Sequence, residues 1–138
     1  FKFCILGKGN QKKNLLSYIK KNNMEKNVKL AGYKKNVYPY YRKADLFILS
    51  SLYEGLPNTL IEANYFNLKI ISSNCKTGPK EILKSNRNNK LFKVGDFKEL
   101  AKCILLTKYN NQKKINIDKR FDFFNNLESY RKIILSNF

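Results

Sequence analysis

The sequence contains no histidine and no tryptophan, and it has only three cysteines among its 138 residues. Without histidine, neither a His general base nor a His metal ligand can act within this chain. Cys4, Cys75 and Cys103 are odd in number and widely spaced, which argues against a disulfide framework and against a zinc site. We therefore expect no bound metal and a reducing, cytoplasmic environment.

Long apolar runs are also missing. No run approaches the roughly 18 residues that a membrane-spanning helix needs. The apolar run at residues 1–7 is too short for a signal peptide, and no small-residue cleavage site follows it. Because the sequence does not begin with methionine, we expect it to belong to a longer protein. A hydrophobic content of 43% nevertheless indicates one folded domain rather than a disordered chain.

Acidic residues are scarce, with 10 Asp and Glu against 28 Lys and Arg, for a net charge of +18. Nucleic-acid binding is one interpretation of such an excess. The lysines are scattered along the chain and interleaved with asparagines, however, which favours a generally solvated basic surface. A third interpretation of the basic excess is attraction to anionic lipid or to phosphorylated substrates.

Short apolar segments alternate with amphipathic ones along the chain. The pattern predicts strands at residues 2–6, 28–32, 45–49, 69–73 and 90–94, and helices at 11–21, 37–43, 58–67, 79–83, 96–107 and 122–135. This alternation predicts an α/β fold, a Rossmann-like parallel sheet of about five strands with helices on both faces. Ligands of such sheets bind outside the carboxyl ends of the strands.

The stretch at residues 49–64 combines the end of a strand, a loop and a helix start. The loop contains Gly55 and Pro57, and the helix is expected to begin at residues 58–59. Free backbone N–H groups and the positive end of the helix dipole make such a start suitable for an anion. Glu54 and Glu62 lie on either side of it, although the chain has few acids. The sequence therefore predicts a ligand site here.

Each carboxylate also has a purely structural interpretation. Thr59-x-x-Glu62 fits a helix capping box, and so does Ser51-x-x-Glu54, although the Gly and Pro that follow disfavour a helix there. A glycoside-hydrolase acid and nucleophile pair is a third interpretation. Their neighbouring positions on one loop and helix suit adjacent hydroxyls of one ligand better than two sides of a scissile bond.

Other motifs are ambiguous. Gly7-x-Gly9 lacks the third glycine of a dinucleotide-binding fingerprint, so a tight turn is favoured. Gly78-Pro79 either starts a helix or forms a wall of a pocket. Three tyrosines of the short helix at 37–43 are expected to pack in the core: Tyr38, Tyr40 and Tyr41.

Several motifs, in this order, resemble those of retaining glycosyltransferases of the GT-B fold, family four (glycosyl transferases group 1). They are the Gly7-Lys8-Gly9 turn, Val28 to Gly32, the run from Tyr41 to Ser51, the E-x7-E pair formed by Glu54 and Glu62, Gly78 to Ile82, and Gly95 to Ala101. Because these motifs span nearly the whole chain in the family's order, we interpret it as a donor-binding, C-terminal domain of this type.

The resemblance implies roles for particular residues. Glu54 would be the catalytic residue, facing the sugar, and Glu62 would accept hydrogen bonds from both ribose hydroxyls. The donor is expected to be a nucleotide-diphosphate sugar, UDP-linked rather than GDP-linked, with no cofactor. The remaining donor-binding positions are expected to be Gly7, Gly9, Tyr33, Gly55, Leu56, Pro57, Asn58, Thr59 and Leu60, largely through their backbone.

The resemblance also predicts the domain organisation. Residues 1–120 would be the donor domain without its first strand and helix, and residues 121–138 a C-terminal helix that crosses toward an N-terminal acceptor domain upstream. That upstream part would also hold the family's basic pair that grips the diphosphate, so we expect this chain alone to be inactive. The implied partners are the donor, a glycan or lipid-linked acceptor and the inner face of an anionic membrane, with no specific nucleic acid. A non-catalytic basic α/β module that binds nucleic acid or protein is the alternative.

Overall fold

Strands and helices alternate along residues 1–84 and 89–107, which are the residues that the computed structural model describes. The strands are β1 (Phe3–Leu6), β2 (Val28–Gly32), β3 (Leu46–Leu49), β4 (Lys69–Ser73) and β5 (Lys90–Phe92). The helices are α1 (Lys12–Lys21), α2 (Tyr38–Lys43), α3 (Asn58–Tyr65), α4 (Pro79–Leu83) and α5 (Phe97–Leu105). Each lies where the sequence predicts it, within a few residues. The predicted helix at 122–135, and with it the segment 121–138, lies outside the described residues.

Two helices end at asparagines in the left-handed backbone conformation, which asparagine tolerates better than most residues. Asn23, after α1, has a φ of 52°, and Asn67, after α3, has a φ of 56°. In both cases the next residue donates its N–H back into the helix: Met24 to Ile19 at 2.9 Å, and Leu68 to Ala63 at 3.1 Å. This is the Schellman arrangement, which satisfies carbonyls that a helix end would otherwise leave open.

Asp96 caps the start of α5, in an arrangement that differs from a full capping box by one hydrogen bond. Asp96 accepts from the Glu99 N–H at 2.8 Å, as a capping box requires. The Glu99 carboxylate, however, accepts from the Lys93 N–H at 2.7 Å rather than from the Asp96 N–H. The Asp96 N–H is already engaged with the Lys93 carbonyl at 2.9 Å, so the carboxylate pairs with the neighbouring donor.

The chain divides into two compact units, and each is described by itself. The first unit is Phe1–Pro39. In it β1 and β2 pair in parallel, from Phe3 opposite Val28 to Leu6 opposite Gly32. Ile19 is the one apolar side chain of this fully described range that is buried.

The second unit, from Tyr40 onward, holds the hydrophobic core. Its three strands are parallel in the order β3-β4-β5, so their carboxyl ends lie at one edge. The central strand β4 is buried from Ile70 to Ser73. Burying a large aliphatic side chain contributes about 1.5–3 kcal/mol. The core around β4 comprises Leu60, Ala63, Leu68, Ile70, Ile71, Ile82, Leu83 and Phe92.

Candidate functional site

The loop at residues 50–57 follows β3, and α3 begins directly after it. Pro57 is the N-cap residue, with extended backbone (φ −72°, ψ 101°), and among the described residues no side chain forms a capping hydrogen bond there. That turn also contains no acidic residue. The Thr59–Glu62 capping box is therefore not formed, and the positive end of the helix keeps its capacity for an anion.

The N–H donors at this helix start are fewer than the sequence suggested. Pro57 has no N–H, and the N–H of Leu60 donates to the Pro57 carbonyl at 2.9 Å. Pro57 and Leu60 are both buried, whereas Leu56, Asn58 and Thr59 are exposed. The prediction of phosphate-binding N–H groups is therefore narrowed to these three exposed residues, and it stays a prediction.

The Glu54 carboxylate is held by Ser51, which is itself bonded to the loop after β4. The Ser51 hydroxyl donates to Glu54 Oε1 at 2.6 Å. The Ser51 carbonyl in turn accepts from the Ser73 hydroxyl at 2.7 Å and from the Cys75 thiol at 3.3 Å. Since Ser73 ends β4 and is fully buried, the half-buried Glu54 is connected to the rigid centre of the sheet.

The loop after β4 contacts the Glu54 loop through its backbone. The Thr77 hydroxyl donates to the Glu54 carbonyl at 2.5 Å. Gly78 has a φ of 86°, and a Cβ on it would lie only 2.1 Å from the Gly55 carbonyl oxygen and 2.7 Å from Pro57 Cδ. Gly78 does start a helix, as one interpretation of the sequence held, because it is the N-cap of α4. Its second role is to let the two loops touch.

Glu62 lies in α3, half-buried, and is oriented by a tyrosine from α2. The Tyr41 hydroxyl donates to Glu62 Oε2 at 2.9 Å. The ring of Tyr41 stacks on Phe66, with centroids 5.4 Å apart, and lies tilted against Phe47 at 5.7 Å. Tyr41 is 6% exposed, so the prediction that it packs in the core is confirmed, but its bond to Glu62 was missed. The same prediction is wrong for Tyr38, which is 53% exposed, and Tyr40 is half-buried.

In the first unit, Gly7, Gly9 and Tyr33 lie at the carboxyl ends of β1 and β2. Gly7 has a φ of 123° and donates its N–H to the Gly32 carbonyl at 2.9 Å, a bond that continues the pairing of β1 with β2. The turn that leads into α1 lies just after, at Asn10 and Gln11. Tyr33 is 66% exposed, and the ammonium group of Lys8 lies 5.6 Å from its ring centroid. That distance suits a weak cation–π contact. Gly9 has open space where a Cβ would lie.

Two further features bear on what the site can hold. Within residues 1–84 and 89–107, no three His, Cys, Asp or Glu side chains are grouped as metal ligands would be. Over the same ranges, no helix has the length and apolar character needed to cross a bilayer. All three cysteines have free thiols.

Curated relatives of the chain are glycosyltransferases. An uncharacterized glycosyltransferase of Methanocaldococcus jannaschii is 50% identical over 82 residues, which are 59% of this chain and 20% of that protein. The amylovoran biosynthesis glycosyltransferase AmsD of Erwinia amylovora is 39% identical over 98 residues, 67% of this chain and 28% of that protein. The chain thus spans between a fifth and a third of the length of these relatives.

A solved structure with the same fold is TarM, which matches with a TM-score of 0.77 and 25% identity over 95% of this chain and 28% of its own. A variant of S. aureus TarM was solved in complex with fondaparinux, alpha-GlcNAc-glycerol and UDP. It matches with a TM-score of 0.73 and 30% identity, over 80% of this chain and 22% of its own. These neighbours confirm the predicted α/β fold as that of GT-B glycosyltransferases.

The sequence profile described as glycosyl transferases group 1 matches residues 1–121. The match includes the first unit, the second unit as far as residue 121, and every described residue of the candidate site. The chain therefore belongs to the glycosyl transferases group 1 family.

Proposed function

We propose that this chain binds the nucleotide-diphosphate sugar donor of a retaining, metal-independent glycosyltransferase. The observation that carries the proposal is the start of α3, which has no capping side chain and lies between two half-buried carboxylates. Each carboxylate is held by a hydroxyl, Glu54 by Ser51 and Glu62 by Tyr41. Family membership and the UDP complex of a similar solved structure support the same reading.

The arrangement suits the charges that develop during glycosyl transfer. The sugar becomes positive as its bond to the diphosphate breaks, and the departing diphosphate becomes more negative. The N–H groups of Leu56, Asn58 and Thr59, at the positive end of α3, would stabilise the leaving diphosphate without a metal. Glu54 would accept from sugar hydroxyls, and Glu62 from the hydroxyls of the ribose.

Binding of nucleotides tests the proposal. The full chain is titrated with UDP, GDP and ADP by isothermal calorimetry, and we expect UDP to bind most tightly. Glu62→Gln should weaken UDP binding about tenfold, because a hydrogen bond to a charged acceptor is stronger than one to a neutral acceptor. Glu25→Gln is the matched control, since it makes the same change at an exposed position in a turn.

Two results would contradict the proposed donor binding. If none of the three nucleotides binds at millimolar concentration, the donor-binding role is wrong. If a short RNA instead binds with a steep dependence on salt, the basic nucleic-acid module becomes the better interpretation.

We further propose that the acceptor of the whole protein is a glycan or a lipid-linked glycan at the inner face of the cytoplasmic membrane. The amylovoran biosynthesis relative and the glycoside complex of TarM support such acceptors. The net charge of +18 would favour an anionic surface. The full chain should then float with anionic vesicles at low salt and not with neutral ones. Equal recovery with both vesicles would contradict the membrane association.

A further inference from the structure

Tyr41 of α2 contacts the candidate site through its hydroxyl group. The Tyr41 hydroxyl lies 2.9 Å from Glu62 Oε2 and 3.5 Å from the carbonyl of Thr59, so its proton is directed to the carboxylate. A hydroxyl that donates to a carboxylate makes one of the stronger hydrogen bonds in proteins. We infer that Tyr41 is a positioning residue, which holds Glu62 in the orientation that the ribose of the donor requires.

Packing leaves the Tyr41 hydroxyl little freedom. Its ring lies between Phe47 of β3 and Phe66 at the end of α3, with centroid distances of 5.7 and 5.4 Å. Only 6% of the residue is exposed. A glutamate has three side-chain torsions, and on a half-exposed helix face it would sample several of them. Because the Tyr41 hydroxyl is carried on a fixed ring, it limits the Glu62 side chain to torsions that keep Oε2 beside that hydroxyl.

The hydrogen bond from Tyr41 uses only part of the acceptor capacity of the Glu62 carboxylate. Each oxygen of a carboxylate has two acceptor positions. Tyr41 occupies one of those on Oε2, so Oε1 and the second position on Oε2 remain for a ligand. Two neighbouring ribose hydroxyls need two acceptor positions, and the three positions that Tyr41 does not use are sufficient. Tyr41 thus orients Glu62 without competing for its ligand.

This inference rests on the proposed function, because it assigns Tyr41 a role at the same donor site. Without the hydroxyl, the Glu62 side chain has to be ordered when the ligand binds. Ordering a flexible side chain at a binding site weakens affinity by about 3- to 10-fold. The weakening should appear only for ligands that Glu62 contacts, which are those with ribose hydroxyls.

The test uses Tyr41→Phe, which keeps the ring and removes the hydroxyl. Calorimetry on the full chain compares UDP with 2′,3′-dideoxy-UDP, which has the same diphosphate and base but no ribose hydroxyls. We expect Tyr41→Phe to bind UDP about 3- to 10-fold more weakly and dideoxy-UDP within about twofold of the unsubstituted chain. Tyr65→Phe is the matched control, because Tyr65 lies on α3 and is 70% exposed.

A double-substitution cycle separates positioning from general loss of structure. If Tyr41 acts through Glu62, Tyr41→Phe should have little further effect on UDP binding in a Glu62→Gln background. A merely structural role would weaken both nucleotides equally and would persist in that background.

The outcomes separate the role of Tyr41 from the proposed donor-binding function. If Tyr41→Phe keeps the full preference for UDP over dideoxy-UDP, the positioning role is wrong and the proposed function stands. If the unsubstituted chain binds UDP without preferring it to dideoxy-UDP, the assignment of Glu62 to the ribose is wrong, and the role of Tyr41 falls with it. If it does not bind UDP at all, the proposed function itself is wrong, and both assignments fall with it.

Discussion

Replacing Gly78 by alanine should destabilise the second unit and displace the Glu54 loop. Gly78 has a φ of 86° and a ψ of −72°, a conformation that residues with a Cβ rarely adopt. An added Cβ would also lie 2.1 Å from the carbonyl oxygen of Gly55. Because the obstructing atoms belong to backbone and to a proline ring, no flexible side chain can rotate away. One of the two loops has to move.

Gly95 allows the conformational and steric parts of this effect to be separated. It has a φ of 79°, but nothing lies within 4 Å of its Cβ position. Gly95→Ala should therefore cost only the backbone term, about 1–2 kcal/mol. Gly78→Ala should cost that and a further 1–3 kcal/mol or so for forcing close-packed groups apart. Against a typical domain stability of about 5–15 kcal/mol, the difference is measurable.

Urea unfolding followed by far-ultraviolet circular dichroism is the appropriate assay, because the chain has no tryptophan. Both glycines lie in the second unit, so both variants report on the same part of the molecule. We expect the midpoint of Gly78→Ala to lie below that of Gly95→Ala, which in turn lies below that of the unsubstituted chain. Equal midpoints for the two variants would refute the close contact between the loops after β3 and β4.

Three other substitutions test the site and its frame. Glu54→Gln should reduce the preference for UDP-glucose or UDP-N-acetylglucosamine over UDP about tenfold, and the affinity for UDP itself should stay within twofold. Calorimetry measures both affinities, and an unchanged preference would exclude a contact between Glu54 and the sugar. Thr77→Val should lower the free energy of unfolding by about 1 kcal/mol because the Glu54 carbonyl loses its donor, whereas Thr77→Ser should not, and equal urea midpoints for the two would contradict this. Asp96→Ala should cost about 1 kcal/mol by uncapping α5, with Asp96→Asn retaining the cap; thermal melts that do not separate the two variants would argue against it.

Local patterns in the sequence were sufficient to predict the elements. Strand and helix positions follow from apolar periodicity, and the stop signals Asn23 and Asn67 act within one turn of chain. The cap at Asp96 is equally local, because its partner Glu99 lies three residues away. Such interactions depend on neighbouring residues alone, so they can be predicted without the fold.

The E-x7-E pair and its place at a helix start were also predicted from the sequence. The structure confirms the strand, loop and helix order around it. The capping alternative for Glu62 could not be excluded in advance, since Thr59-x-x-Glu62 has the correct spacing. It fails because Pro57 rather than Thr59 is the N-cap residue.

The α/β character, the family and the two carboxylates follow from the sequence alone. The way in which those carboxylates are held depends on contacts between distant parts of the chain. Tyr41 reaches Glu62 across 21 positions, and Thr77 reaches the Glu54 carbonyl across 23. No periodicity or spacing rule connects residues so far apart. The parallel register of β3 and β4 brings the Thr77 loop beside the Glu54 loop at one edge of the sheet. Tyr41 reaches Glu62 because its ring packs against Phe47 of β3 and Phe66 at the end of α3.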